Sequence, residues 1–293
     1  MKRILLIFLL AGTAAVAAPV DDICAYFESL RQADGAYAYP GQDASHLGAT
    51  FAAVMSYAAL GRDVPGDRTA LCRTIADSLW PVAGERDAAR TRWHAGELHE
   101  FRLQQVRAIR ALGGDGSPFR READARQGPE SYITAYEAGG NPILVQQMNV
   151  LLLKAEFGLS VGSKAQKAFA DYLNARERPN GSYNTTPATD GSDGHVVNTA
   201  FALAGRRVLG VTPDRKVVGW IQSCQRPDGG FTWAPDPPMG GVSDLWYAHA
   251  AVRALLDLGA RPKDETAFRA WLCSLRNADG GFAPRPGFRS DPL

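Results

Sequence analysis

Five histidines, His46, His94, His99, His195 and His249, are the groups in this chain that can change charge nearest neutral pH. Two of them hold matched places. His46 and His195 each stand fourteen residues before the leucine of a Leu-Gly pair, Leu60 and Leu209, and Asp244 stands in the same register before Leu258. An imidazole and a carboxylate at equivalent positions are suited to exchange protons with a bound molecule. We therefore expect Asp193, His195 and Asp244 to carry any catalysis, and His46 to line the same kind of polar rim. The competing role is helix capping, since each precedes an apolar run where a side-chain acceptor satisfies free backbone N–H groups. Trp233, Trp246 and Tyr247 lie close by in sequence and offer ring faces for ligand binding, and Pro235, Pro237 and Pro238 stiffen the loop after Trp233.

Metal chemistry has a weaker basis. Asp193-Gly194-His195 offers one oxygen and one nitrogen ligand, a mixed set that zinc accepts, so zinc is the one cofactor considered and none is the expectation. The run Asp190 to Gly194 resembles a calcium loop only superficially: the spaced oxygen ligands ending in Glu are missing, and a plain turn is expected. His249 follows Tyr247 by two places, so it points to a different helix face and reads as a packed core histidine. No Gly-x-Ser-x-Gly occurs, which removes the usual hydrolase elbow.

The elements that position these residues repeat. Arg31-Gln-Ala-Asp-Gly-Ala-Tyr37, Glu177-Arg-Pro-Asn-Gly-Ser-Tyr183, Gln225-Arg-Pro-Asp-Gly-Gly-Phe231 and Arg276-Asn-Ala-Asp-Gly-Gly-Phe282 share one turn. The last two gaps are 48 and 51 residues and the first is 146, so two degenerate copies are expected near residues 84 and 132. An Ala- and Leu-rich segment ending in Gly follows each turn: His46–Gly61, Leu98–Gly113, Ile143–Gly158, His195–Gly210 and Asp244–Gly259. These read as inner helices, apolar nearly all round. Amphipathic segments Asp21–Arg31, Arg68–Leu79, Lys164–Arg176, Pro213–Gln225 and Glu265–Arg276 precede the turns and read as outer helices. A single helix hairpin cannot bury both faces of its inner helix, but stacked hairpins can, so the repeats favour one large domain over residues 19–293. The segment Gly287 to Leu293 resembles the entrance to a further inner helix at Gly241 to Leu245.

Length and composition agree with this. The chain has 293 residues, 45% apolar and 22% charged, with a net charge of +1. That balance excludes a disordered tail, a collagen or a polytopic membrane protein, and gives no electrostatic reason to expect nucleic acid. Residues 1–18 read as a signal peptide: Lys2 and Arg3, an apolar stretch Ile4 to Leu10, then the small-residue pattern Ala15-Val16-Ala17. Export to the periplasm or medium is expected, with no membrane span left after cleavage. Four cysteines in an exported chain suggest disulfides. Cys24–Cys72 with Cys224–Cys273 joins adjacent outer helices, and Cys24–Cys273 is the alternative if the first and last outer helices meet.

The Gln-x-x-x-Gly-x-Phe form at Gln225–Phe231 resembles the repeat of squalene and oxidosqualene cyclases. The Asp-Gly-Gly-Phe turns followed by an Ala/Leu helix ending in Leu-Gly look like protein prenyltransferase β subunits. The resemblance spans nearly the whole mature chain and is stronger over 165–285 than over 77–160. It implies an all-α fold, an α/α toroid of about five to six helical hairpin repeats, with inner helices around an apolar cavity that takes isoprenoid chains. The family's chemistry does not follow. The cyclase acid motif Asp-x-Asp-Asp is absent, Asp21-Asp22 lacks the third carboxylate of Asp-Asp-x-x-Asp, and the Asp-x-Cys pair of the zinc transferases has His195 in place of cysteine. An exported protein binding a small apolar, isoprenoid or lipid, ligand is thus expected. The alternatives are a cyclase- or transferase-type enzyme with an altered polar site, or a periplasmic glycan enzyme using Asp193 and Asp244.

Overall fold

The structure is a computed structural model that describes residues 17–77, 94–125, 143–237 and 240–292. The degenerate copies expected near 84 and 132, and the signal peptide through residue 16, lie outside the described residues. Among the described residues there are eleven α-helices: α1 (Ala17–Ser29), α2 (Leu47–Leu60), α3 (Arg68–Asp77), α4 (His94–Ala111), α5 (Arg120–Ala125), α6 (Ile143–Glu156), α7 (Ser163–Asn174), α8 (Val196–Val208), α9 (Lys216–Ser223), α10 (Leu245–Asp257) and α11 (Glu265–Ser274). Among the described residues there is no β-strand. Four isolated antiparallel bridges, Arg31–Tyr37, Glu177–Tyr183, Gln225–Phe231 and Arg276–Phe282, close the four repeated turns.

Two punctuation devices produce this regularity. Each Leu-Gly pair ends an inner helix with glycine in the left-handed region, as at Gly61 (φ 64°) and Gly210 (φ 72°). The residue after each glycine then bonds back five positions, Arg62 N to Tyr57 O at 2.9 Å and Val211 N to Arg206 O at 2.9 Å. These are Schellman stops, which satisfy carbonyls that the helix end leaves free. The second device is the Asp/Asn-Gly turn. Asp34 Oδ1 accepts from Ala36 N and from Ser45 Oγ. Asp228 Oδ1 accepts from Gly230 N and Ser243 Oγ, and Asp279 Oδ1 from Gly281 N and Ser290 Oγ. Residue 194 is glycine where the others have serine, and there Ser182 supplies the hydroxyl: Asn180 Oδ1 accepts from Ser182 N at 3.0 Å and Ser182 Oγ at 2.6 Å.

The chain packs as two compact units. One contains α1 to α3, most of α4 and the stretch from Leu272. Its core gathers Ile23, Tyr26, Phe27, Leu30, Tyr37, Val54, Tyr57, Ile75 and Ile109, with Phe282 packed against it. The C-terminal turn seats on α1, where a Cβ at Gly281 would come 2.8 Å from Tyr26 Cε2, and Arg276 pairs with Asp22. The second unit holds α5 to α10 and α11 through Trp271. In it α8 packs between α6 and α10. The outer helix α7 buries Ala165, Phe169 and Leu173, and α9 buries Val217, Trp220 and Ile221, the one-sided spacing of amphipathic helices.

The four cysteines correct the disulfide expectation: Cys24, Cys72, Cys224 and Cys273 are all free thiols. Packing explains it. Cys72 faces α4, with its Sγ 3.9 Å from Ile109 O, instead of turning to Cys24. Cys224 is buried and donates to Trp220 O within its own helix, while Cys273 is exposed.

Candidate functional site

The three residues matched in register are all helix N-caps. His46 Nδ1 accepts from Gly48 N at 3.0 Å at the start of α2. His195 Nδ1 accepts from Val197 N at 3.2 Å at the start of α8. Asp244 Oδ1 accepts from Trp246 N at 2.9 Å at the start of α10. Each also bonds its backbone N–H to the carbonyl of the turn aromatic, Tyr37, Tyr183 or Phe231. The turn thus delivers the cap to the helix, and the same polar position recurs in these three repeats for a backbone reason.

In the second unit the caps carry more than capping. His195 stacks on Trp233, with ring centroids 5.6 Å apart and planes 16° from parallel. Tyr247, in the first turn of α10, meets the same imidazole edge-on at 5.6 Å. Trp233 is held because its own carbonyl accepts from Val196 N at 2.8 Å. His195, Trp233 and Tyr247 therefore form one cluster from three separate stretches of chain. Trp246 is not part of it and stands 63% exposed, beside Val242 at 50%. In the first unit, His46 pairs with Tyr39, centroids 4.7 Å apart.

The cluster sets the charge on His195. Burial pushes its pKa from the ordinary 6.5 down to about 4, so the ring is neutral at physiological pH. Because Nδ1 accepts a backbone N–H, the proton of the neutral ring resides on Nε2. That N–H bonds to no described residue. Burial also lowers the pKa of His46.

Asp193 lies two residues away but belongs to another environment. Its Oδ1 accepts from Gly194 N at 2.7 Å, Trp220 Nε1 at 3.1 Å and Asn180 Nδ2 at 3.2 Å. It ties the repeated turn to the outer helix α9 rather than joining the aromatic cluster. Among the described residues no group of three or more His, Cys, Asp or Glu side chains is arranged to hold a metal. The loop at Asp190 is a turn whose centre is filled by protein. Arg178, almost fully buried, donates to Asp190 Oδ1, Ser192 Oγ, Ser192 O and Thr186 O. A guanidinium thus stands where a calcium loop would hold its ion. Trp220 and Arg178 were absent from the expected site; their signal in the sequence, an aromatic on an outer helix and an Arg inside a turn, is the signal of ordinary packing.

His249 also departs from expectation. It is exposed to solvent, not packed in the core, yet protein surrounds it closely enough to lower its pKa, with Arg253 adding to the effect. Near the last turn of α10, Arg253 and Arg207 both pair with Asp257, at 3.2 and 2.8 Å. The inner helices α8 and α10 therefore carry aromatic rings at their starts, with the Asp244 carboxylate capping α10, and ion pairs near their ends.

Comparison with known proteins places these features in a family. The model of the prenyltransferase alpha-alpha toroid domain matches residues 3–83 and 145–291, most of the chain. No curated protein matches it significantly.

Proposed function

Because the chain belongs to the prenyltransferase alpha-alpha toroid family, we propose that it is an exported member whose role is to bind an apolar ligand, an isoprenoid or another lipid, against its inner helices. The observation that carries this reading is the cluster of His195, Trp233 and Tyr247. It offers wide ring surface with a few polar atoms, the His195 imidazole, the Tyr247 hydroxyl and the Trp233 indole N–H, the composition of a small-molecule site that is mostly apolar with a few placed polar groups. Export rests on Lys2, Arg3, the apolar stretch and the small-residue cleavage pattern.

Binding is favoured over turnover by what the three candidate catalytic groups already do. Asp193 accepts three protein donors, Asp244 caps α10, and His195 caps α8 in its neutral form. The same commitments weigh against a glycan enzyme, which needs two carboxylates facing one sugar. Native mass spectrometry of the mature protein purified from an exporting host tests the proposal. A copurified lipid or isoprenoid mass, or an adduct with added farnesol, is expected. A folded protein that takes up neither refutes it. A protein that converts the bound compound would assign chemistry in place of binding alone.

A further inference from the structure

Resting on that reading, we infer that the ligand presents an uncharged oxygen, a hydroxyl or a carbonyl, to His195, and that the Nε2–H of this residue is what selects it. The geometry fixes the donor. His195 Nδ1 is held by Val197 N at 3.2 Å, so the ring cannot turn Nε2 inward without uncapping α8. Trp233 covers one ring face at 16° from parallel, and Tyr247 meets the ring at 77°. What is left open is the Nε2 edge, set in an aromatic wall.

An N–H in that setting prefers a neutral acceptor on an apolar skeleton. Its hydrogen bond is stronger there than in water, and leaving it unmade costs more. A bare hydrocarbon leaves the donor unsatisfied. A diphosphate would need cationic partners, and the cations of these two helices are elsewhere. Arg206, Arg207 and Arg253 lie more than about 10 Å along the helix axes from the starts of α8 and α10 at 1.5 Å per residue; Arg206 pairs with Glu177, and Arg207 and Arg253 share Asp257. Burial keeps the imidazole itself uncharged, so it adds no positive charge to attract an anion.

The test uses three probes that share a carbon skeleton: farnesol, farnesene and farnesyl diphosphate. Affinity is read by quenching of tryptophan fluorescence and checked by native mass spectrometry. The variant is His195→Asn. Asparagine is among the strongest helix N-caps, but its short amide cannot occupy the Nε2 position. Circular dichroism and Tm establish that the variant is folded. The wild type is expected to bind farnesol about five- to tenfold more tightly than farnesene, a net hydrogen bond in magnitude, and more tightly than the diphosphate. The variant should bind farnesol and farnesene equally. Equal wild-type affinity for farnesol and farnesene, or tightest binding of the diphosphate, overturns the inference and leaves apolar binding standing. A preference for farnesol that survives in the variant also overturns it, because the donor is then another group. Binding of none of the three removes the underlying reading and the inference together.

Discussion

Residues 182 and 194 share one hydroxyl position, and exchanging them gives a sharp prediction. In three repeats the carboxylate of the turn accepts from a serine eleven to fifteen residues on, Ser45 and Ser243 just before an inner helix and Ser290 in the C-terminal segment. In the fourth, Ser182 takes that role and residue 194 is glycine. Where the turn is Gly-Gly the two arrangements exclude each other sterically, although Ala36 and Ser45 coexist in the first repeat. A Cβ on Gly230 would come 2.5 Å from Ser243 Cβ, and one on Gly281 would come 2.6 Å from Ser290 Cβ. A Cβ on Gly194 would overlap Ser182 and come 3.0 Å from Trp220 Cζ2. Gly194 does not occupy the left-handed region, so its backbone accepts serine. Gly194→Ser alone should cost about 2 kcal/mol through overpacking, a Tm loss of about 4–8 °C. Ser182→Gly alone should cost about 1.5 kcal/mol, from one lost hydrogen bond and added chain entropy. The double variant recreates the Gly230/Ser243 arrangement and should lie only about 1 kcal/mol below wild type. The assay is urea denaturation of all four proteins, followed by circular dichroism. Additivity within about 0.5 kcal/mol, the behaviour of independent sites, would refute the argument that one shared position links the two residues.

Three further outcomes follow from the described geometry. Gly210→Ala should destabilise by about 1 kcal/mol, because a left-handed Cβ is strained even where it meets no neighbour, and thermal melts should show Gly210→Asn losing less. Ellman's reagent should modify the exposed Cys273 first and reach Cys224, whose thiol burial pushes well above its ordinary pKa, only on unfolding; a disulfide in the non-reduced peptide map would contradict the structure. Between pH 6.5 and about 4 the unfolded chain binds a proton at residue 195 that the folded protein refuses, so stability should be full above pH 6.5 and fall as pH drops through this window. His195→Asn should flatten that decline by up to about 3 kcal/mol at pH 4, less in proportion to the ring's partial exposure. Equal slopes for the two proteins would show that His195 is not desolvated.

Much of the fold is legible because it rests on local chemistry. Asp-Gly turns and Leu-Gly stops are decided by a few adjacent residues, and they place the helices to within a few positions. The equivalence of His46, His195 and Asp244 is legible for the same reason, since counting back from the stop finds the cap. The cluster is less so. Trp233 reaches His195 from the next repeat, through a carbonyl bond to Val196 that no spacing announces. Asp193 sits beside His195 in sequence, yet Trp220 on α9 draws it away. His249 reads as core because it stands two places after Tyr247 and turns to another helix face, whereas that face is accessible. The cysteines show the limit of counting: an even number in an exported chain suggests pairs, but bonding depends on which neighbour each thiol faces, and Cys72 faces Ile109.

The seating of the C-terminal turn on α1 bears on how the chain acquires its structure during synthesis. Residues 120–271 form a continuous stretch and can collapse as soon as they are made. The other unit is built from segments on both sides of that stretch. Its contacts between Tyr26 and Gly281, and between Asp22 and Arg276, require closing a loop of about 250 residues, and such long-range pairing is slow to form. Until then Tyr26 and its neighbours on α1 lack their last cover. A chain that crosses a membrane before folding would pass through this interval with an apolar face open, the period when a holding chaperone would matter most.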